Sequence, residues 1–158
     1  MAIEKTFGIV KPDAVAAGAV GGVIDMIEKG GLKVVSLRMT LMSKPEAEGF
    51  YAVHKARPFF AGLIAFMTSG PCVVMALEGE NAIARYRELM GATDSKKAAP
   101  GTIRQKFGTD IERNAVHGSD APESATRELG LFFKPDELVE WTPTAQSWVY
   151  DMAKGTPE

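Results

Sequence analysis

Cys72-Val73-Val74-Met75-Ala76-Leu77 is an unbroken apolar run, and Ser69-Gly70-Pro71 stands immediately before it. A short apolar run that follows turn residues is typical of a strand that is buried on both faces. We therefore expect residues 72–77 to form a central strand of a sheet, in which Cys72 is a small buried residue of the core.

Two further strands are predicted on the N-terminal side of this run. Residues 5–10 (Lys-Thr-Phe-Gly-Ile-Val) form the first, and Pro12 ends it because proline lacks the N–H group that a ladder needs. The second covers residues 35–41, where polar side chains alternate with the apolar Val35, Leu37, Met39 and Leu41. This period of two predicts one buried and one polar face, as in an antiparallel or mixed sheet.

Four helices are expected between and after these strands. The first carries apolar residues at i, i+3, i+4 and i+7 from Val20, and Gly30-Gly31 ends it. The second opens at Ser43, which has the spacing of a capping box with Glu46. The four helices are predicted over residues 20–27, 43–54, 59–67 and 83–90.

The periodicity weakens between Gly91 and Val116, and a structureless stretch of this length inside a compact domain is usually functional. Beyond it we expect a helix that begins at Ser119-Asp120 and ends near Leu129. A short last strand over residues 131–133 and a C-terminal helix over residues 143–152 should follow. This order predicts a single domain over residues 1–158 of the α/β (α+β) class, a βαββαβ chain whose four-stranded antiparallel sheet is covered by helices.

The composition limits the classes of function. The chain has 158 residues, a formal net charge of -2 and a pI of about 5.8, without the basic excess of a nucleic-acid binder. Nucleic acid is therefore not expected as the main partner, whereas a small phosphorylated ligand needs only a few local cations. The N-terminus lacks the order of a signal peptide, and the most apolar stretch, residues 14–24, is too short to span a bilayer. With Cys72 as the only cysteine, we expect a cytoplasmic protein without a membrane partner.

His117 has the sequence context of a reactive residue, in the stretch Arg113-Asn114-Ala115-Val116-His117-Gly118-Ser119-Asp120. Gly118 has no side chain, so that we expect a bulky ligand to approach the imidazole closely. Ser119 and Asp120 are expected to begin a helix whose N-terminal amides favour negative charge. An imidazole is largely neutral at cellular pH, and a neutral imidazole can attack phosphorus to give a covalent phosphohistidine.

This stretch resembles the active-site signature of nucleoside diphosphate kinases, and other segments resemble that family in the same order. Residues 7–13 (Phe-Gly-Ile-Val-Lys-Pro-Asp) are similar to its first strand and its Lys-Pro-Asp turn. Arg57-Pro58-Phe59-Phe60 followed by Gly62-Leu63 is similar to its nucleotide-side helix pair. Further similar segments are Ser69-Gly70-Pro71, Gly91-Ala92-Thr93 and Pro100-Gly101-Thr102-Ile103-Arg104.

The resemblance implies a ferredoxin-like fold, a long loop at the nucleotide site and subunit interface, and a ping-pong mechanism. A nucleoside triphosphate would phosphorylate His117, and a nucleoside diphosphate would then collect the phosphate. By position, Glu128 and Ser119 would orient the imidazole, and Lys11 and Tyr51 would lie beside the transferred phosphate. Nucleotide binding is implied for Lys11 and Asn114 at the ribose, for Arg87, Thr93 and Arg104 at the phosphates, and for Phe59, Leu63 and Ile111 at the base.

The residues themselves agree with a phosphate site that is built from side-chain cations. The chain has neither a Gly-x-x-x-x-Gly-Lys-[Ser/Thr] loop nor a Gly-x-Gly-x-x-Gly motif. Lys11, Arg87 and Arg104 can supply the charge, helped by Mg²⁺ that the nucleotide phosphates carry, with no metal ligand from protein side chains. Stacking on Phe59 tolerates every base, so that ATP, GTP and other nucleotides are expected as substrates.

The family forms hexamers or tetramers, and the tail over residues 141–150 resembles that of hexameric members, which favours a hexamer. One departure lies in the long loop, where Asp94-Ser95 stands in place of the usual Asn-Pro and Lys96-Lys97 follows. Loss of a proline frees the unfolded chain, so that we expect a looser loop. A second lies at Ala16-Ala17-Gly18, where the family often has a basic residue; no residue assigned to chemistry is missing.

Three other interpretations stay open at this point. A regulatory or scaffold module could keep the fold and work by binding partners, but it would be expected to lose the histidine or its cations. A DNA-binding or nuclease activity conflicts with the acidic balance of the chain. His54 is interpreted as an ordinary surface or core histidine, because no cysteine or carboxylate cluster gives it metal-ligand spacing.

Overall fold

In the computed structural model, which describes residues 3–142, four strands form one sheet in which every neighbouring pair is antiparallel. They are β1 (Ile3–Val10), β2 (Lys33–Thr40), β3 (Cys72–Glu80) and β4 (Val116–Gly118), in the spatial order β2-β3-β1-β4. The predicted four-stranded antiparallel sheet is confirmed. Residues 72–77 lie in a central strand and are fully or almost fully buried, as their apolar run predicts.

Helices cover both faces of this sheet. Between residues 3 and 142 they are α1 (Pro12–Ala16), α2 (Val20–Lys29), α3 (Lys44–Phe50), α4 (Phe60–Met67), α5 (Ala82–Met90), α6 (Ile103–Phe107) and α7 (Pro122–Phe132). Short 3₁₀ helices occur at Ala52–His54, Ser95–Lys97 and Pro135–Glu137. The predicted capping box is present, since the Ser43 side chain accepts from the Glu46 N–H and the Glu46 side chain accepts from the Ser43 N–H.

The alternation of side chains along β1 and β3 divides the core into two layers. Val10, Met75 and Leu77 face α2 and α5 and pack with Val23 and Tyr86. On the other side of the sheet, α3, α4 and α7 cover a second layer, which contains Phe7, Ile9, Phe50, Val74 and Phe132. Burying side chains of this size stabilises the fold by about 1.5–3 kcal/mol each relative to leaving them exposed. The sheet is therefore held from both faces.

The prediction of the last strand is wrong. Residues 131–133 do not form a strand, because α7 continues to Phe132 and only then becomes extended at Phe133. Phe132 and Phe133 pack on Phe7 from above the sheet, at ring-centroid distances of 5.2 and 6.3 Å. The fourth strand is β4, inside the region of the chain where the periodicity is weak. It pairs Gly8, Ile9 and Val10 with Gly118, His117 and Val116, and three residues are too few to show a period of two.

The stretch 91–116 also differs from the expectation of a structureless loop, since α6 and the 3₁₀ helix Ser95–Lys97 lie within it. The predicted helix over residues 143–152 lies outside the described residues. Within residues 3–142, no helix has both the length and the hydrophobicity that crossing a membrane would require. The cytoplasmic location stays a prediction.

The face of β2 that its sequence pattern predicts to be buried is largely exposed. Val35 is buried, but Leu37, Met39 and Leu41 are 49%, 57% and 64% exposed. β2 is an edge strand, and a register shift between Val34 and Ser36 interrupts its pairing with β3. Val35 packs in the layer of Phe7, whereas Leu37 and Met39 lie opposite Met75 and Val73, which belong to the other layer. The prediction of one continuous buried face over residues 35–41 is therefore wrong within a single chain.

Ser95→Pro is expected to raise the free energy of unfolding by about 0.4–1 kcal/mol, because proline restricts the unfolded chain. The native backbone suits proline, since Asp94 is extended (ψ 110°) and Ser95 is the first residue of its 3₁₀ helix. The buried Ser95 hydroxyl makes no hydrogen bond to the described residues, so that proline removes no partner. Thermal unfolding measures the change. Ser95→Ala removes the hydroxyl without restricting the backbone, and equal melting temperatures for the two variants would contradict the proposed cause.

Candidate active site

Strand β4 lies at the edge of the sheet and places His117 opposite Ile9 of the neighbouring strand β1. The ring lies edge-on to Phe50, with centroids 5.0 Å apart and planes at 75°. Phe7 and Tyr51 lie farther away, at 6.2 and 6.5 Å. The side chain of His117 is 21% exposed, so that one edge of a ring packed on aromatic groups can still be reached from solvent.

Glu128 of α7 fixes the orientation of this ring. Its Oε1 lies 2.8 Å from His117 Nε2 and accepts a second hydrogen bond, also 2.8 Å long, from Ser119 Oγ. An ionised carboxylate only accepts hydrogen bonds, so that Nε2 must carry the proton. In the neutral ring the lone pair is then on Nδ1, the nitrogen that does not contact Glu128.

The surroundings of His117 favour that neutral form. Burial lowers the pKa of His117 below its ordinary value of 6.5, and the positive charges of Lys11 and Arg104 lower it further. The hydrogen bond and the negative charge of Glu128 oppose this effect and raise the pKa. The net direction is downward, which favours an unprotonated imidazole whose Nδ1 lone pair is available.

Lys11 is a buried cation at the point where β1 ends. Its Nζ donates to Asn114 Oδ1 at 2.9 Å, and Asn114 Nδ2 in turn donates to the Thr93 carbonyl at 3.1 Å. Burial, followed by the positive charge of Arg104, lowers the pKa of Lys11 from 10.5 to about 8, although Asp13 raises it. The structure thus brings together Lys11, Asn114 and Thr93, which lie far apart in the sequence.

The two predicted arginines hold the backbone on either side of His117. Arg104 is buried, and its Nη2 donates to the Val116 carbonyl at 2.9 Å. Its Nε and Nη1 donate to the carbonyls of Asn114 and Gly91, so that three of its five N–H donors bind backbone. The more exposed Arg87 donates to the Gly118 carbonyl at 3.2 Å. Both cations therefore bind backbone carbonyls next to His117 in the chain, and Arg104 also organises the long loop.

The predicted base-binding residues lie on two segments, helix α4 with the residue before it and the loop that contains Ile111. Phe59 precedes α4 and is 53% exposed, Leu63 is partly buried on the same helix, and Ile111 is 62% exposed. The loop of Ile111 comes close to α4, since a Cβ atom on Gly62 would lie 4.0 Å from Glu112 Oε1. Exposed apolar and aromatic side chains on facing segments can bind a flat heterocycle between them.

Tyr51 and His54 lie between the imidazole and this exposed region. The Tyr51 hydroxyl is buried and has no hydrogen-bond partner among residues 3–142. Burial raises its pKa, so that the phenol stays protonated and can donate. His54 lies 5.5 Å from the ring of Phe59 and 6.5 Å from that of Tyr51, measured between centroids. Among residues 3–142, no group of three His, Cys, Asp or Glu side chains that could hold a metal ion is found, and the interpretation of His54 as an ordinary histidine stays a prediction.

Two expectations about the stretch after His117 are wrong. Gly118 does not open the ring to a ligand; a Cβ atom there would lie 2.7 Å from both Met90 Cε and Tyr86 Cδ2, so that glycine is required for packing against α5. The helix does not begin at Ser119-Asp120 but at Pro122, with Ala121 as N-cap. The Ser119 hydroxyl does not cap this helix, since it donates to Glu128 Oε1.

Sequence reasoning missed two groups of contacts. Phe7 and Phe50 support the ring, but an apolar pattern predicts only that they are in the core. Arg127 contacts the other carboxylate oxygen of Glu128, at 3.5 Å, and also donates to the Phe50 carbonyl. A groove of about 940 Å³ lies between β1, β2 and the end of α7 and is lined by none of the predicted site residues.

Comparison with known sequences identifies the relatives of this chain. The family model for nucleoside diphosphate kinase matches residues 4–138. A nucleoside diphosphate kinase of Anaeromyxobacter dehalogenans is 60% identical over 147 residues, which are 92% of this chain and 100% of that protein. One from Coxiella burnetii is 57% identical over 138 residues, which are 87% of this chain and 99% of that protein.

Solved structures agree with this assignment. The nucleoside diphosphate kinase of Aquifex aeolicus has a TM-score of 0.86 at 48% identity, over 87% of this chain and 100% of that one. A halophilic nucleoside diphosphate kinase from Halobacterium salinarum, solved in complex with CDP, has a TM-score of 0.87 at 45% identity, over 94% of this chain and 99% of that one. The expected ferredoxin-like α/β fold is therefore confirmed, and the chain belongs to the nucleoside diphosphate kinase family.

Proposed function

We propose that His117 Nδ1 is the atom that carries the phosphoryl group as this kinase moves a terminal phosphate from one nucleotide to another. The Nδ1 lone pair attacks the γ-phosphorus of a nucleoside triphosphate, the bond from that phosphorus to the β–γ bridging oxygen breaks, and nucleoside diphosphate leaves. A β-phosphate oxygen of a second diphosphate then attacks the phosphohistidine and the P–N bond breaks. The observation that carries this proposal is the 2.8 Å contact of Nε2 with Glu128, which leaves Nδ1 as the free nitrogen.

Glu128 and Ser119 have the role of positioning the ring in this proposal. When Nδ1 bonds to phosphorus, the imidazole becomes cationic, and a hydrogen-bonded carboxylate stabilises that charge. The same hydrogen bond keeps the ring from rotating between the two half-reactions. A regulatory module was the alternative, and membership in this enzyme family gives it no support.

The cations have the role of stabilising charge on the phosphates. Charge in phosphoryl transfer spreads over the equatorial oxygens, and catalysis rests on positioning and electrostatic stabilisation. Lys11, together with the Tyr51 hydroxyl, is assigned to the transferred phosphate, and Arg87, Thr93 and Arg104 to the phosphate chain. Family members need a divalent cation, and we propose Mg²⁺ bound to the nucleotide phosphates. Among the described residues, no three His, Cys, Asp or Glu side chains lie close enough to bind it.

The remaining residues are assigned to the nucleoside. Lys11 and Asn114 are hydrogen-bonded to each other, which favours their joint contact with the ribose hydroxyls. Phe59 would stack on the base, with Leu63 and Ile111 beside it. The Halobacterium relative was solved with CDP, and stacking does not distinguish one base from another, so that we propose ATP, GTP and other nucleotides as substrates.

We also propose a homo-oligomer, with a hexamer favoured over a tetramer. Leu37 and Met39 on the edge strand β2, and Leu41 directly after it, are exposed and support assembly through this edge. An edge strand offers unpaired backbone groups to a second strand, and a patterned apolar face that a single chain leaves exposed can be buried by a second copy.

His117→Ala is expected to abolish covalent labelling by γ-labelled ATP, because it removes the Nδ1 atom that is proposed to accept the phosphoryl group. In the unaltered protein the label should survive alkali and be lost in acid, as a phosphoramidate is. His54→Ala is the matched control and should label normally. Labelling that persists in His117→Ala would show that the nucleophile is a different residue.

The kcat/KM value is expected to fall as pH rises through about 8, because Lys11 loses its proton there and with it the charge that faces the phosphates. The sign follows from the lowered pKa: the ammonium form exists below that value and the neutral amine above it. A pH profile measured on Lys11→Arg should lack this alkaline fall, since a guanidinium stays charged. An unchanged alkaline fall in Lys11→Arg would assign the titration to another group.

Replacing Leu37 and Met39 together by Glu is expected to reduce the mass of the oligomer measured by light scattering, because the apolar edge of β2 becomes charged. Leu131→Glu, at a side chain that is 51% exposed on α7, is the matched control and should leave the mass unchanged. An unchanged mass in the β2 variant would exclude this edge as the contact.

A further inference from the structure

The chain makes a tight turn just before β4, and an alanine is at its centre. The Val116 N–H donates to the Asn114 carbonyl at 2.8 Å, which closes a three-residue turn around Ala115. Ala115 has a φ of 70°, in the left-handed region that a residue with a Cβ atom seldom adopts. Such a conformation is kept only when surrounding contacts hold it in place.

Those contacts come from the turn at the end of β1. The Ala115 carbonyl accepts from the Lys11 N–H at 2.8 Å, and the Ala115 N–H donates to Asp13 Oδ2 at 3.0 Å. Both backbone groups of Ala115 are therefore bound by residues about a hundred positions earlier in the chain. The Asp13 carboxyl is committed to this task, since its other oxygen, Oδ1, is buried and has no hydrogen-bond partner in the described part of the chain.

The strained turn sets the position of Asn114 relative to His117, because Asn114 directly precedes Ala115 and His117 lies two residues after it. Lys11 Nζ donates to Asn114 Oδ1, so that the same two segments also meet through side chains. If Ala115 returned to an ordinary φ, Asn114 and His117 could not both keep their present positions relative to Lys11.

We propose that Asp13 is a positioning residue for phosphoryl transfer: its carboxylate holds the left-handed turn at Ala115 and thereby keeps His117 and Asn114 aligned with Lys11. The proposal rests on His117 as the nucleophile. Asp13 acts through the backbone and touches neither substrate nor the reacting nitrogen, so that its removal affects the rate of transfer through the placement of His117. Small displacements of a reacting group are costly, with about 1 Å changing rates by as much as roughly 100-fold.

The test measures the single-turnover rate at which γ-labelled ATP phosphorylates His117, for each variant well below its own melting temperature. Asp13→Ala is expected to slow this step about tenfold or more, since the displaced nucleophile loses alignment. Asp13→Asn should keep most of the rate, because an amide oxygen can still accept the Ala115 N–H. The double variant Asp13→Ala/Ala115→Gly should regain much of the rate that Asp13→Ala alone loses, since glycine adopts positive φ without a carboxylate to hold it.

Glu4→Ala is the matched control. Glu4 Oε1 also accepts a backbone N–H across elements, that of Ile83 at 2.9 Å, but far from His117. Its loss should lower the melting temperature without slowing phosphorylation. Asp13→Ala that is folded and phosphorylated at the normal rate would overturn the proposal and leave a purely structural role.

Two further outcomes would also overturn the proposal. Equal slowing in Asp13→Asn and Asp13→Ala would mean that the charge acts on Lys11 and that the hydrogen bond to the turn does not matter. If adding Ala115→Gly to Asp13→Ala restored none of the rate, Asp13 would not affect phosphorylation through the turn at Ala115. Labelling that persists in His117→Ala would instead contradict the assignment of His117 as the nucleophile. Failure of that assignment can therefore be distinguished from failure of the Asp13 proposal.

Discussion

Glu128 Oε1 accepts hydrogen bonds from His117 Nε2 and from Ser119 Oγ at 2.8 Å each, at a residue that is 5% exposed. A carboxylate buried to this extent is costly without donors, so that α7 and β4 must approach each other until both bonds form. The aromatic side chains of Phe7, Phe50 and Phe132 fill the space around this pair. The same constraint that fixes α7 on the sheet therefore also selects which nitrogen of His117 is free to react.

In the long connection between α5 and β4, polar groups also hold the fold and arrange the site at the same time. Outside α6 and the 3₁₀ helix Ser95–Lys97 its backbone is irregular, and the buried cation Arg104 binds carbonyl groups near both of its ends. Arg104 binds the Gly91 and Asn114 carbonyls of this connection and the Val116 carbonyl at the start of β4, and the Lys11 ammonium binds the Asn114 side chain. Buried positive charge so close together is unfavourable by itself, and a bound polyphosphate would neutralise it. The fold thus holds a concentration of charge that its ligand stabilises.

Hydrophobic period, capping and turn residues were enough to predict β1, β3 and the main helices, because each of these spans several residues with a repeated pattern. They failed at β4, whose three residues have no period, and at Leu131–Phe133, where aromatic packing continues a helix. The site residues came from the resemblance to a family, since no local pattern connects Lys11 with Asn114 or His117 with Glu128. Asp13 escaped prediction because its role depends on the conformation of Ala115. The exposed face of β2 could not be anticipated either, because a pattern shows that a face is apolar but not which molecule buries it.

The residues assigned to the phosphates are buried and those assigned to the base are exposed, and this difference bears on which ligands the site can distinguish. On the phosphate side, Lys11, Arg104 and Asn114 are 7%, 6% and 3% exposed and are linked to one another or to backbone. On the base side, Phe59 and Ile111 are more than half exposed and offer apolar surface without fixed donors or acceptors. Discrimination requires buried polar groups that are left unpaired by the wrong ligand. In the proposed site such groups are concentrated where the ribose and phosphates would bind, and this arrangement would let one site require a nucleotide without selecting its base.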